Sequence, residues 1–187
     1  MSSNIRNRID ELETLVLNKP HTIDSLSGVP FVVFPYDPEK ELSVENNIFD
    51  FVDKLEFNNL SVAQIDLRDL VFSILEEQNL IKNVIEIEKE EPDEIRAGLN
   101  STFFEEFDDN RGTLMEELIT RAEHHDVVVM YRCGILYPFS SISVILGQLE
   151  NVVDTPLIVF YPAIKQGKDL RFLDETNGTY YRAKVIW

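Results

Sequence analysis

Short unbroken runs of apolar residues mark the strands of this chain. The runs FVVF, VVVM and LIVF lie within Val29–Pro35, Asp126–Tyr131 and Pro156–Tyr161. Runs of this kind are typical of central strands that helices cover on both faces. The stretch NLSVAQID, which ends at Asp66, predicts a further strand. Near the end of the chain, the residues of Tyr180–Trp187 alternate between two faces, as expected of a half-exposed edge strand.

Between these strands, apolar residues recur at helical spacing. Ile5, Ile9, Leu12 and Val16 share one face of a helix that Lys19-Pro20 ends. Further amphipathic helices are predicted over residues 44–55, 67–75, 95–107, 114–122 and 142–149, the last with Ser140 or Ser141 as its N-cap.

The alternation of strands and helices predicts the fold class. It indicates a three-layer α/β fold with a mainly parallel sheet of about five strands and helices on both faces. The length of 187 residues is enough to bury a substantial core, and we expect a single α/β domain over residues 1–187.

The composition is that of an ordinary globular protein, with 44% hydrophobic and 27% charged residues. The longest apolar runs are only a few residues, which is too short to span a membrane. Acidic side chains are interspersed among the first residues, and these residues lack the apolar region of a signal peptide. Cys133 is the single cysteine, so the chain forms no internal disulfide and suits a reducing compartment. We therefore expect a cytoplasmic protein.

The charge is strongly negative and unevenly distributed. The formal net charge of −17 repels the phosphate backbone of nucleic acids, so direct binding of DNA or RNA is not expected. From Glu86 to Glu117, twelve acidic residues stand against three basic ones. This stretch is either a solvated helical face or a docking surface for a basic partner. Residues 163–187 carry a small positive excess instead.

The sequence PAIKQGKD, Pro162–Asp169, resembles half of a phosphate-binding loop, because Gly167 and Lys168 match its defined positions. However, Pro162 replaces the first glycine and fixes φ, and Asp169 replaces the Ser or Thr that binds magnesium. Only eighteen residues follow Asp169, whereas such a loop normally follows the first strand. We therefore interpret the segment as a turn, and the fold as a Rossmann-like or P-loop-NTPase-like sheet without a phosphate loop.

No group of residues has the pattern of a catalytic site. His124-His125 beside Asp126 lacks a third histidine nearby and suits a polar helix C-terminus better than a metal site. Cys133 lies just past an apolar strand, as a small buried residue does. Ser140-Ser141 lacks the G-x-S-x-G pattern of a hydrolase. We expect no enzyme activity, no metal and no cofactor.

Two arginines lie next to aromatic residues in the sequence. Arg132 follows the strand at 126–131, and Arg182 follows Tyr180-Tyr181. They are either stacked surface residues or parts of a partner-binding patch, because Tyr and Arg are favoured interface anchors. The candidate partner-binding residues are Arg132, Tyr137, Tyr161, Arg171, Tyr181 and Arg182.

The C-terminal part of the chain resembles a bacterial protein family. A strand runs into Phe160-Tyr161-Pro162, and Gly167, Leu170-Arg171, Asn177 and Tyr180-Tyr181-Arg182-Ala183 follow in that order. These motifs resemble the end of the BrxB family, a small component of BREX phage-defence systems. Upstream, VVVMYRCGILYPFSSISVILGQLE resembles the strand, loop and helix that precede this end in the family.

The resemblance implies an α/β fold and a non-catalytic adaptor or structural component that acts through protein–protein contacts. It implies partners among the other BREX proteins, which include a methyltransferase, a large ATPase and the alkaline-phosphatase-like PglZ protein. We expect PglZ to be the direct partner. No catalytic residues are attributed to this family, so the resemblance implies none here.

Two other hypotheses stay open at this point. A small-molecule-binding or enzymatic α/β domain would use the carboxyl ends of the strands, around Tyr36, Asp66, Tyr137 and Tyr161. A nucleic-acid accessory would present the basic C-terminal end to DNA, against the net charge of the chain.

Overall fold

A parallel β-sheet forms the centre of the protein. The computed structural model describes residues 2–18, 23, 28–105, 111–166, 169–172 and 182–187. The central sheet consists of β1 (Phe31–Tyr36), β2 (Val62–Asp66), β3 (Val127–Tyr131), β4 (Leu157–Pro162) and β7 (Lys184–Val185). Two further strands, β5 (Ile164–Gln166) and β6 (Asp169–Arg171), pair with each other in antiparallel orientation.

Helices connect the strands and cover the sheet. They are α1 (Ser2–Asn18), α2 (Glu41–Phe57), α3 (Leu67–Glu77), α4 (Ile81–Glu90), α5 (Pro92–Phe104), α6 (Thr113–Glu123) and α7 (Ile142–Leu149), with short 3₁₀ helices at Pro38–Lys40 and Cys133–Leu136. The predicted α/β fold with a mainly parallel five-stranded sheet is confirmed. Among the helices described, none is long and apolar enough to cross a membrane.

The strand order is β2-β3-β4-β1-β7, and each neighbouring pair is parallel. Strand β1 is therefore inserted between β4 and β7, whereas in the dinucleotide-binding fold it lies between β2 and β4. Every residue of β1, β3 and β4 is buried, which confirms the prediction of central strands from the apolar runs.

Different parts of the chain cover the two faces of the sheet. Helices α1 and α2 pack on one face, against side chains such as Phe34 and Ile158. Helices α3, α5, α6 and α7 pack on the other face, against Val33 and Val159. The connection from β1 to β2 crosses the sheet in one direction and all later connections cross it in the other. Right-handed crossovers then place the connecting helices on opposite faces.

The carboxyl ends of β1 and β4 form a topological switch point. After β1 the chain continues into α2, on the first face, and on to β2. After β4, Leu170 of β6 joins the core of the other face, and the next strand of the sheet, β7, lies on the far side of β1. Neighbouring strands whose connections leave in opposite directions open a crevice at their carboxyl ends, where ligands of doubly wound sheets bind.

The segment after β4 is a hairpin where a turn was predicted. Strands β5 and β6 lie on either side of Gly167 and Lys168, with Gln166 opposite Asp169. A phosphate-binding loop leads from a strand into a helix. Here the segment is flanked by two antiparallel strands and not by a strand and a helix. Gly167 and Lys168 themselves lie outside the described residues. Three-residue strands are too short to show an alternating pattern in the sequence, so periodicity could not predict the hairpin.

The predicted edge strand is confirmed at Lys184 and Val185, which pair with Val32 and Val33 of β1. The next residue, Ile186, is buried in the core beneath α1 and α2. Tyr180 and Tyr181, where the predicted strand begins, lie outside the described residues.

Arg8 of α1 ties the edge strand to the rest of the sheet. Its Nη2 atom donates to the carbonyl oxygens of Pro35 and Ile186, at 2.6 Å each, so one guanidinium joins the ends of β1 and β7. The guanidinium also lies 4.2 Å from the centre of the Phe34 ring. Burial lowers the pKa of Arg8, and the nearby Glu11 acts in the opposite direction. Charge-assisted hydrogen bonds of this kind are stronger than neutral ones.

We expect the Arg8→Met substitution to lower the free energy of unfolding by about 2 to 4 kcal/mol, because two charge-assisted bonds to partly buried carbonyls are lost. Methionine keeps the apolar contact with Phe34. Urea unfolding measures the change, and Arg6→Met on the exposed side of α1 is the matched control, with an expected change within about 0.5 kcal/mol. Equal effects of the two substitutions would contradict the role given to Arg8.

Candidate functional site

The residues predicted to bind a ligand or partner gather in part at the carboxyl edge of the sheet. Tyr36, Asp66, Tyr131 and Tyr161 lie at the ends of β1, β2, β3 and β4, and Arg132 directly follows β3. Because all five strands are parallel, these ends lie along one edge of the sheet.

Arg132 is the centre of an ion-pair network at this edge. Its two terminal nitrogens donate to Glu45 of α2 and to Asp66, the N-cap residue of α3. The Asp66 carboxylate also accepts a hydrogen bond from the backbone N–H of Asp69, at 3.2 Å. The side chain of Arg132 is only 23% exposed. Its donors therefore hold α2 and α3 to the end of β3.

The backbone of Arg132 is in the left-handed region, with φ of 54°. This conformation lets the chain turn sharply from β3 into the 3₁₀ helix at Cys133–Leu136. It is unfavourable for a residue with a β-carbon. Arg132 therefore combines a strained backbone with a side chain that is fixed by ion pairs to Glu45 and Asp66.

The charges around Arg132 also act on its ionisation. Burial lowers the pKa of Arg132, but hydrogen bonding and attraction from Glu45 and Asp66 outweigh burial and raise the pKa overall. Burial raises the pKa of the neighbouring Tyr131, and Asp66 adds to this effect. Phe49 of α2 packs edge-on against Tyr131, with ring centres 6.1 Å apart.

The two tyrosines at the ends of β1 and β4 are buried. The hydroxyl of Tyr36 donates to Glu41 Oε2 at 2.6 Å, and burial together with this bond raises its pKa. Tyr161 packs against Phe172, with ring centres 5.7 Å apart. The hypothesis of a ligand site at the strand ends named both residues. Tyr36 lines a cleft beside the ends of β1 and β4, and Tyr161 contributes to the packing of the edge.

Tyr137 is the exposed member of the candidate set at this edge, with 41% of its surface accessible. Its ring lies edge-on to Phe172, at 6.1 Å between centres. Phe172 is thus placed between Tyr137 and Tyr161. A β-carbon at Gly134 would lie 3.3 Å from Cζ of Phe172, so the close approach of this ring favours glycine there.

The remaining candidates do not all lie near Tyr137. Arg171 directly precedes Phe172 and is partly buried. Arg182 precedes β7, so it lies at the amino edge of the sheet, where it pairs with Glu150 after α7. Tyr181 lies outside the described residues. The structure therefore brings Tyr137, Tyr161 and Arg171 near Phe172 and places Arg182 at the opposite edge.

Three residues of this region were not singled out from the sequence. Arg8 and Glu45 are polar positions on amphipathic helices, which ordinarily face solvent. Phe172 follows a three-residue strand that periodicity does not show. The contacts of Arg8 and Glu45 reach residues 27 to 178 positions away, and Phe172 packs against rings 11 and 35 positions away, which no local pattern reports.

The cysteine and histidines take structural positions. Cys133 is buried, and burial, reinforced by Glu41 and Asp66, raises the pKa of its thiol. The Nδ1 atoms of His124 and His125 lie 2.7 and 2.8 Å from the carbonyls of the residues four positions earlier, at the end of α6. Within the described ranges, no three His, Cys, Asp or Glu side chains are grouped so that they could hold a metal ion.

We expect Arg132→Gly to be more stable than Arg132→Ala, by about 1 kcal/mol in the free energy of unfolding. Both variants lose the ion pairs with Glu45 and Asp66, but glycine adopts the left-handed backbone without strain. Denaturant unfolding of the two variants measures the difference. Equal stability would show that the turn after β3 relaxes when the side chain is removed.

We expect the free energy of unfolding to fall above about pH 8.5, partly because of Cys133. Its pKa is raised in the folded state, so the unfolded chain loses this proton first and stability decreases as the pH rises. The expected contribution of the thiol is about 1.4 kcal/mol per pH unit. Urea unfolding between pH 8 and 10 should show a smaller slope for Cys133→Ala than for the parent chain. The same slope in both chains would contradict a buried, neutral thiol.

Comparison with known proteins identifies the family. The sequence model of the family described as BREX protein BrxB matches residues 63–186, which is more than half of the chain. The match begins in β2 and includes β3, β4 and β7. The comparisons with curated proteins and with solved structures find no match. The chain therefore belongs to the BrxB family, whose members are components of BREX phage-defence systems and associate with other BREX proteins.

Proposed function

We propose that this protein is a non-catalytic adaptor of a BREX phage-defence complex and acts in the cytoplasm through protein–protein contacts. Its direct partner is the alkaline-phosphatase-like PglZ protein. One observation carries the proposal. At the carboxyl edge of the sheet, the Tyr36 hydroxyl and the Arg132 guanidinium are engaged within the chain, while the aromatic ring of Tyr137 remains exposed.

The internal contacts of this edge support a role without catalysis. Arg132 lies between two carboxylates, the Tyr36 hydroxyl donates to Glu41, and the thiol of Cys133 is buried. A catalytic acid, base or nucleophile must reach a substrate. These groups instead stabilise the junction of the strand ends with α2 and α3.

Tyr137 has the properties of an interface anchor. It is exposed, and its ring is held against Phe172, which in turn packs on Tyr161 and Gly134. An aromatic ring that is already held in place loses little conformational freedom on binding. Arg171 precedes Phe172, and Tyr and Arg are the residue types in which binding energy concentrates.

The test is affinity purification of the tagged chain from a host that expresses the whole BREX system. We expect PglZ at near-stoichiometric yield, identified by mass spectrometry. Isolation of the chain by itself would contradict the adaptor role. Recovery of a different BREX subunit in place of PglZ would contradict the choice of partner.

A surface variant tests where the partner binds. Tyr137→Ala should reduce recovered PglZ at least about tenfold, because removing a central aromatic anchor commonly weakens binding by 1 to 2 kcal/mol or more. Phe57→Ala is the matched control. Phe57 is 88% exposed, but it ends α2 at the opposite edge of the sheet. Equal recovery with both variants, when both unfold at the temperature of the parent chain, would exclude Tyr137 from the interface.

A further inference from the structure

A cleft of about 370 Å³ lies at the switch point between β1 and β4. The residues after β1 and after β4 form two of its walls, and α1 and the end of the chain form the others. Its lining includes Arg8, Pro35, Lys40, Ile164, Lys165 and Trp187. Small-molecule sites in α/β sheets are found at such crevices, with volumes of about 300 to 1,000 Å³.

The charges in this cleft are opposite in sign to those of the whole chain. Of the residues that the structure describes, three with cationic side chains line it: Arg8 from α1, Lys40 from the first 3₁₀ helix and Lys165 from β5. Asp37 contributes a carboxylate to the lining; it accepts a hydrogen bond from the backbone N–H of Glu39 at 3.1 Å and lies 3.5 Å from Lys40. The cleft is therefore locally cationic in a chain with a net charge of −17.

The same cleft exposes apolar surface. Ile164 and Trp187 are 50% and 44% exposed, and the Nζ atom of Lys165 lies 4.0 Å from the centre of the Trp187 ring. Pro35, Ala163 and Ile5 add apolar wall. A mainly apolar cleft with a few converging charged groups is the usual form of a site for a small organic ligand.

We propose that this cleft binds a small organic anion in which a carboxylate or a phosphate monoester is joined to a planar or apolar group. The charged group lies among Lys40, Lys165 and Arg8, and the apolar group lies against Trp187 and Ile164. A nucleoside triphosphate is not the fitting ligand. Pro35 and Pro38 lack the backbone N–H donors that a chain of phosphates requires, and no glycine loop follows β1.

The chain carries its own reporter for this proposal, because Trp187 is its single tryptophan and lines the cleft. The probes are adenosine 5′-monophosphate and benzoate, with the neutral adenosine and benzamide as their counterparts. We expect the two anions to change the Trp187 fluorescence saturably, with half-saturation at or below about 1 mM. The neutral compounds should give at least about tenfold weaker responses, because they lack the charge that the three cations attract.

A pair of charge variants locates the site. Lys165→Gln should weaken binding of both anions at least about tenfold, whereas Lys82→Gln removes the same charge from the exposed face of α4 and should leave binding unchanged. Titration calorimetry is used for this comparison, since Lys165 contacts the fluorescent ring itself. Equal weakening by both variants would show a non-specific effect of net charge and overturn the proposal.

Other results would also overturn it. If neither anion gives a saturable response, the cleft does not bind ligands of this class. If the neutral compounds give equal responses, the cationic side chains do not contribute to binding. If the anions do not bind but Lys165→Gln abolishes recovery of PglZ, the cleft is a protein-docking site. The titrations use the purified chain alone, so a negative result does not contradict the adaptor role. Failure to recover PglZ likewise does not contradict ligand binding in the cleft.

Discussion

The arrangement of the carboxyl edge depends on one constraint, the pairing of β1 on both sides. Its residues Phe31–Tyr36 pair with β4 along their whole length and with β7 at Val32 and Val33. A parallel strand in this position must be covered on both faces, and all six of its side chains are buried. Phe34 contacts Phe160 on the neighbouring strand, with ring centres 5.0 Å apart, and Arg8 contacts the same ring. The insertion of β1 also reverses the direction of the connections and so creates the crevice between β1 and β4.

This constraint links the family match to the rest of the fold. The matched residues 63–186 contain β2, β3, β4 and β7, but β1 precedes them. Strand β7 is paired with β1, and Arg8 of α1 donates to the ends of both. The matched part therefore completes its sheet with a strand and two helices from outside the match. The candidate cleft has the same dual origin, because Arg8 and Lys40 come from the first part and Lys165 from the matched part.

The acidic side chains of the chain have two kinds of environment. Most acidic residues are exposed, as on α4, where no residue is buried. At the carboxyl edge, carboxylates are instead engaged: Glu45 and Asp66 bind Arg132, and Glu41 accepts from Tyr36. These contacts join the strand ends to the helices that follow them. A net charge of −17 favours solubility, whereas these few engaged carboxylates order the edge.

The fold class, the central strands and the family could be predicted from the sequence, because local patterns report them. Apolar runs such as VVVM reflect burial on both faces, and the motif around Tyr161-Pro162 is contiguous. Which distant residues contact each other follows from the three-dimensional arrangement of the strands. Arg132 reaches Glu45 across 87 positions and Arg8 reaches Ile186 across 178, and both contacts follow from the strand order. Strand order depends on how each connection between strands packs and on its handedness. The hydrophobic periodicity of a single segment does not report either of these. For the same reason the candidate partner-binding residues Arg182 and Tyr137 lie at opposite edges of the sheet, and a cationic cleft forms in an acidic chain.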